Sequence, residues 1–234
     1  MSLRAIAAIP FIALFTLLFG LLAILAGLVD PRGRAARALG QVWARSILLT
    51  LGVRVEVAGS DHAPAGPAVY AANHGSALDI PILLAHLPAD FRIIHKRSIY
   101  LIPVLGWSLW FAGHVGIDRR HPFRARRSLK AAARMVREGA SLAVFPEGTR
   151  SPDAFVRPFK RGSFVLATEA GVPVVPVSLV GVKRVIPRGI GTLRPGAVRM
   201  TIHAPVETRG RAPDGAAALA EEVRRIVASG CQED

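Results

Sequence analysis

The chain has 234 residues, 51% of them hydrophobic, which is long for one domain and short for two, so one main domain with an appendage is the natural division. Its 30 basic and 16 acidic residues leave a formal net charge of +14, and all but four of the basic residues are Arg, the side chain that grips phosphate with two parallel hydrogen bonds. The partner should be anionic, whether nucleic acid, an acidic membrane surface or a phosphorylated substrate, and the single Cys231 excludes an intrachain disulfide framework.

From Ala5 to Val29 no residue is charged, enough to span a bilayer, for which about 20 apolar residues suffice. A secretory signal peptide is the competing reading, but the run is too long for an apolar region of about 7–15 residues. Arg32, Arg34, Arg37 and Arg45 follow the run and only Arg4 precedes it. The positive-inside rule therefore puts the body of the protein on the cytoplasmic face of a cell (inner) membrane. Residues 34–51 set Leu39, Val42, Trp43, Ile47 and Leu48 among Arg37, Gln41 and Arg45, an amphipathic helix able to lie in the interface. Residues 1–52 are thus expected to form a membrane-associated two-helix segment. Pro10 and Gly20 leave open whether its first helix spans the bilayer or bends back within one leaflet.

After Gly52 the pattern changes. Strands are expected at 53–57, 68–72, 91–95, 115–117, 141–145, 174–180 and 198–203, and helices at about 77–86, 99–111, 124–138, 162–170 and 216–228, with turn-rich stretches at 60–67 and 187–196. Strands alternating with helices indicate an α/β domain over residues 53–228. The expected architecture is a single mixed, largely parallel sheet flanked by helices, preceded by the hydrophobic two-helix membrane motif and followed by a short tail, 229–234. No repeat, linker or low-complexity tract divides it.

Four places put polar groups at a strand end or in the loop beyond, where α/β folds carry function. The first is Asn73-His74-Gly75-Ser76-Ala77-Leu78-Asp79. Residues i and i+5 of one helix point roughly 140° apart, so His74 and Asp79 meet only if His74 lies before the helix starts. Ser76 offers that start, with Asp79 three residues on in a capping-box-like pattern, and a capped helix with nothing more is the plain alternative. If the two do meet, the imidazole can act as a general base near neutral pH and the carboxylate can orient it. No third ligand stands at a recognisable metal spacing, and no Gly-x-Ser-x-Gly elbow supplies a nucleophile. Cys231, in the expected tail, lies far from these residues in sequence.

The second place is Phe145-Pro146-Glu147-Gly148-Thr149-Arg150-Ser151, an apolar strand opening into a turn with a carboxylate, a hydroxyl and a guanidinium. The third runs from Gly113 through His114 to Asp118, Arg119 and Arg120, with Lys96 upstream; cations for a phosphate and a solvated basic face are both consistent with it. The fourth, 158–162, leads into a helix start that can receive an anion. The apolar stretch holding Leu101, Leu105, Trp107, Trp110 and Phe111 reads either as core or as an acyl pocket or membrane contact.

These blocks, in this order, resemble the glycerolipid acyltransferase family, specifically its bacterial 1-acylglycerol-3-phosphate (lysophosphatidate) acyltransferases, over about residues 35–205. The family's first motif, Asn-His-x-Ser-x-x-Asp, stands at 73–79. The second is similar to Lys96, Ile102-Pro103, Gly106-Trp107 and Gly113 through Arg119. The third, Phe-Pro-Glu-Gly-Thr-Arg-Ser, is complete at 145–151, and the fourth looks like 172–177. Gly75 is a departure, since many members carry a bulkier polar residue there, and it bears on the acceptor more than on the reaction.

The resemblance implies acyl transfer from an acyl-CoA or acyl-carrier-protein thioester to the free hydroxyl of a lysophospholipid at a membrane, most simply 1-acylglycerol 3-phosphate, without metal or organic cofactor. It implies that His74 is the base and Asp79 its partner. Lys96, Arg119, Glu147, Thr149 and Arg150 would bind the acceptor, and Gly148 and its neighbours would bring N–H groups to the oxyanion. Glycerol 3-phosphate or a lyso-ornithine lipid is the alternative acceptor. A non-catalytic basic protein of membranes or nucleic acid is the distant alternative, and no nucleic-acid-recognition motif supports a nucleic-acid partner.

Overall fold

The computed structural model describes residues 3–118, 120–151, 155–187 and 190–232. In chain order the elements are α1 (Leu3–Val29), α2 (Arg34–Thr50), β1 (Val53–Ala58), β2 (Val69–Ala72), α3 (Asp79–His86), β3 (Phe91–Lys96), α4 (Leu105–Phe111) and β4 (Val115–Ile117). They continue with α5 (Pro122–Arg137), β5 (Ser141–Val144), α6 (Gly162–Ala170), β6 (Val174–Val180), α7 (Val182–Val185), β7 (Gly196–Ile202) and α8 (Ala216–Gly230). One sheet of seven strands in the order β1-β7-β6-β2-β5-β3-β4 takes them all. Every neighbouring pair is parallel except β6 with β7. The expected mixed, largely parallel sheet is therefore the one observed.

The short apolar strands read as they do because both sheet faces are covered. All four residues of β2 are buried: Tyr70 and Ala72 pack with Ala44, Leu83 and Val177, while Val69 and Ala71 pack on the other face with Ala132, Phe164 and Leu219. Because β2, β5, β3 and β4 are parallel neighbours, the loops after them leave the same edge. Blocks scattered from residue 73 to residue 151 are thereby set side by side.

Ala5, Ala8, Ala44 and Ile47 belong to the same buried cluster as the sheet, so α1 and α2 dock on the α/β body. The rest of α1 stays apolar and bare, with Leu14 57%, Leu21 51% and Leu25 60% exposed. It is long and apolar enough to cross a membrane. Gly20 is where α1 meets the start of α4, because a Cβ there would lie 2.5 Å from Val104 Cγ1. Gly27, one heptad on, meets Phe111 in the same way, so small residues let the two helices approach closely.

The helix expected at 99–111 is broken. A 3-10 turn spans Arg97–Leu101, and Ile102 is extended, as the residue before a proline is disposed to be. Val104 then takes φ 63° and ψ −60° in a γ-turn closed by Leu105 N–H on Pro103 O at 2.7 Å, a strained backbone for a β-branched residue. α4 starts only there. The short α7 was not expected from the sequence; it lies between the sixth strand and the Gly/Pro-rich stretch.

His114 belongs to the core rather than to a basic face. It is buried, its Nδ1 accepts a hydrogen bond from Ile93 N–H at 3.1 Å, and burial pushes its pKa from 6.5 down to about 3. Unfolding therefore takes up a proton at any pH between those values, and stability falls as pH falls through 6.5. Between pH 8 and pH 5 the expected loss is about 2 kcal/mol. Thermal unfolding of the detergent-solubilised protein should show that decline, and His114→Gln should flatten it; an unchanged slope would remove His114 as its source.

Candidate active site

His74 follows β2, and its loop is held from four directions. The Asn73 amide clamps the main chain of Leu179 on β6, Nδ2 donating to the carbonyl at 2.9 Å and Oδ1 accepting the N–H at 2.8 Å. His74 N–H donates to Glu147 Oε1 at 2.7 Å, and His74 O accepts from Ser151 N–H at 2.8 Å. The Phe145 ring stacks on the imidazole with centroids 4.1 Å apart. On the fourth side, His74 Nδ1 donates to Asp79 Oδ2 at 2.7 Å.

Asp79 sits in the first turn of α3 and is 1% exposed. Its Oδ2 also accepts Gly75 N–H and Ser76 N–H, each at 2.8 Å, while the Ser76 hydroxyl receives Leu78 N–H at 3.3 Å. The expected start at Ser76 is not the one observed: the helix begins at Asp79 with Leu78 at its N-cap and no side-chain cap, and the Asp79 carboxylate gathers the turn ahead of the helix and brings His74, outside the helix, back onto it.

Glu147 differs from the expectation of acceptor contact. It is 4% exposed, Oε1 takes His74 N–H and Oε2 takes Arg157 N–H at 3.2 Å. Burial raises its pKa, opposed by those two backbone donors. A buried carboxylate with both oxygens engaged braces two loops and does not offer itself to a phosphate. Gly148 differs likewise: its N–H closes the turn onto Phe145 O at 3.1 Å, and its φ of 76° requires glycine with the Lys160 side chain packed against it. That N–H is not turned to an oxyanion.

His74, Asp79, Glu147, Ser151, Lys183, Arg184 and Cys231 line a cleft of about 280 Å³. Sharing Gly75, Ser151 and Lys183 with it is an apolar cavity of about 430 Å³ walled by Ile12, Trp43, Ile47, Leu51, Leu78 and Ile186, with Arg150 at its margin. Lys96 is exposed and lines a third cavity, of about 500 Å³, with Arg97, Asp118 and Arg120. Thr149 and Arg150 are exposed at the turn after β5, and Arg119 lies outside the described residues. Among the expected acyl-pocket or membrane residues, Leu101, Trp107 and Trp110 are 83%, 53% and 63% exposed, whereas Leu105 and Phe111 are partly buried, Phe111 against Gly27 of α1.

Cys231 is not remote. α8 packs along β6, the Ser178 hydroxyl donating to Val227 O at 2.9 Å, and this carries Cys231 to the wall of the His74 cleft. Burial pushes its thiol up to about 11, which leaves it protonated at neutral pH and a poor nucleophile. Sequence reasoning also missed Arg157 and Lys183. Lys183 stood within reach of the rule that located the others, being a cation two residues past the glycine that ends a buried strand.

A protein-family model described as Acyltransferase matches residues 54–180. A chloroplastic 1-acyl-sn-glycerol-3-phosphate acyltransferase of Brassica napus is 40% identical over 171 residues, 72% of this chain and 49% of that protein. One of Arabidopsis thaliana is 38% identical over 183 residues, 76% of this chain and 51% of that protein. The chain thus spans about half the length of these curated relatives. The crystal structure of the 1-acyl-sn-glycerophosphate acyltransferase PlsC from Thermotoga maritima superposes with a TM-score of 0.83 at 30% identity, covering 99% of this chain and 94% of that one.

Proposed function

The chain belongs to the acyltransferase family, and from that premise we propose that it transfers an acyl group from a thioester to the free hydroxyl of 1-acyl-sn-glycerol 3-phosphate, giving phosphatidate. The observation that carries the reading is the His74–Asp79 pair at the wall of a cleft that adjoins an apolar cavity rimmed by cations. His74 Nδ1 is committed to Asp79, so Nε2 is the nitrogen that takes the hydroxyl proton. The hydroxyl oxygen attacks the thioester carbonyl, and the imidazolium, held by the Asp79 carboxylate, returns its proton to the leaving sulfur. No residue of the chain becomes acylated in this scheme. The protonated Cys231 thiol at the cleft wall fits that role of bystander.

Arg150 supplies positive charge to the acceptor phosphate, and Lys96, at the end of β3, and Arg119 add to it. The donor is acyl-CoA or an acyl-carrier protein. α1, bare on most of its surface, enters the membrane with Trp107, Trp110 and Leu101 at the lipid boundary, and the α/β body lies on the cytoplasmic face of the cell (inner) membrane. Each basic residue near anionic lipid adds about 1 kcal/mol to that attachment.

The test is acceptor-dependent thiol release by the purified protein in lipid nanodiscs. Free CoA or carrier-protein thiol should appear on addition of 1-acylglycerol 3-phosphate, with phosphatidate detected by mass spectrometry. Faster turnover of glycerol 3-phosphate or lyso-ornithine lipid would replace the acceptor, and thiol release without any acceptor would replace the reaction.

A further inference from the structure

Lys183 is set against the catalytic loop by two features that act together. The Asn73 amide clamp on Leu179 fixes the end of β6 relative to His74, and Gly181 and α7 follow at once. Gly75, one residue from the base, has no side chain, and the Lys183 stem occupies the side on which one would stand: a Cβ on Gly75 would lie 3.5 Å from Lys183 Cε and 3.9 Å from its Cγ. Lys183 thereby lines both the His74 cleft and the apolar cavity, and Arg150 lines the apolar cavity.

An apolar recess with a guanidinium and an ammonium at its margin and an imidazole in the adjoining cleft suits an amphiphile with one chain, an anionic head and a hydroxyl near the head. We propose that Lys183 is a specificity-determining residue that, with Arg150, binds the acceptor's phosphate. The assignment rests on the acceptor reading given above. It predicts selection for acceptors whose head is a phosphate monoester over those whose head is neutral or zwitterionic, because a second, positively charged head group would meet Lys183 and Arg150 with like charge.

The experiment separates this assignment from the reaction. Binding of dodecyl phosphate and of dodecanol to the full chain is measured by isothermal titration in a neutral detergent. Lys183→Met is expected to weaken dodecyl phosphate binding roughly tenfold, the scale of one charge-assisted hydrogen bond, and to leave dodecanol binding unchanged. Gly75→Leu, whose branched side chain extends beyond a Cβ already in contact with the lysine stem, should reproduce the defect. Arg126→Met, which removes an equal charge from the exposed face of α5, should not. In turnover, Lys183→Met should raise KM for 1-acylglycerol 3-phosphate about tenfold with kcat and the donor KM within about twofold. Equal binding of the two amphiphiles by the unmodified chain, an unaffected Lys183→Met, or an equal defect in Arg126→Met would each overturn the proposal. If dodecyl phosphate binding depends on Lys183 but no lysophosphatidate is acylated, the anion site stands and the acceptor reading fails.

Discussion

His74→Ala is expected to lower transfer by about 10³-fold while the protein remains folded and membrane-bound, the usual scale for losing a positioned general base. The geometry argues for a loss confined to chemistry. The His74 side chain is 13% exposed and makes two side-chain contacts of note, the ring of Phe145 and the Asp79 carboxylate. Its main-chain bonds to Glu147 and Ser151 hold the loop and survive the substitution. Asp79 Oδ2 keeps its two backbone donors, so the carboxylate is not left uncompensated. The check is acceptor-dependent thiol release alongside the thermal midpoint. A rate within tenfold of the unmodified protein, at an unchanged midpoint, would end the general-base assignment.

Asp79→Asn should reduce kcat by about 10²–10⁴-fold with a small change in acceptor KM, because it removes the charge that stabilises the imidazolium without emptying the cleft. An amide oxygen can replace Oδ2 and keep the Gly75 and Ser76 donors. The amide nitrogen then falls where Oδ1 stands, buried without a hydrogen-bond partner, and leaving its protons unsatisfied costs about 1–3 kcal/mol. A flipped amide relieves nothing, because it turns an N–H₂ group towards three donors. Both loss of rate and a modest loss of stability are therefore expected. Retention of more than a tenth of kcat would mean that Asp79 organises the turn and does not support the base. Asp79→Glu, which keeps the charge and shifts its place by a methylene, separates these roles: it should recover part of the stability and little of the rate.

The two substitutions together explain why the turn is built as it is. One carboxylate closes the loop ahead of α3 and orients the imidazole, so local folding and placement of the His74 ring are the same event.

Much of the fold was legible in the chain because its causes are local. The unbroken apolar run of α1, the buried strand at 174–180 and the alternating face of α5 each follow from periodicity and composition, and the structure has them at or near the expected bounds. The local turn that joins Ser76 N–H to the Asp79 carboxylate was legible too, since it depends on residues three apart, although the helix starts at Asp79 and not at Ser76. The break at Pro103 could have been read from the restriction a proline places on the residue before it. The strained Val104 could not: its side chain lies against Gly20 on α1, a contact no local pattern encodes.

What the sequence determined by itself is the order of the strands and of the main helices, though not α7, together with the apolar amino-terminal run, the excess of positive charge and the motif residues with their chemical types. What only the tertiary structure decided is which of those residues face one another. Glu147 turned inward because two main-chain donors, 73 and 10 residues away in sequence, converge on it and a buried carboxylate needs them both. His114 joined the core, and Cys231 reached the cleft along α8. Lys183 came to lie over Gly75 because β6 is the parallel neighbour of β2, a strand pairing across a hundred residues that no local pattern encodes.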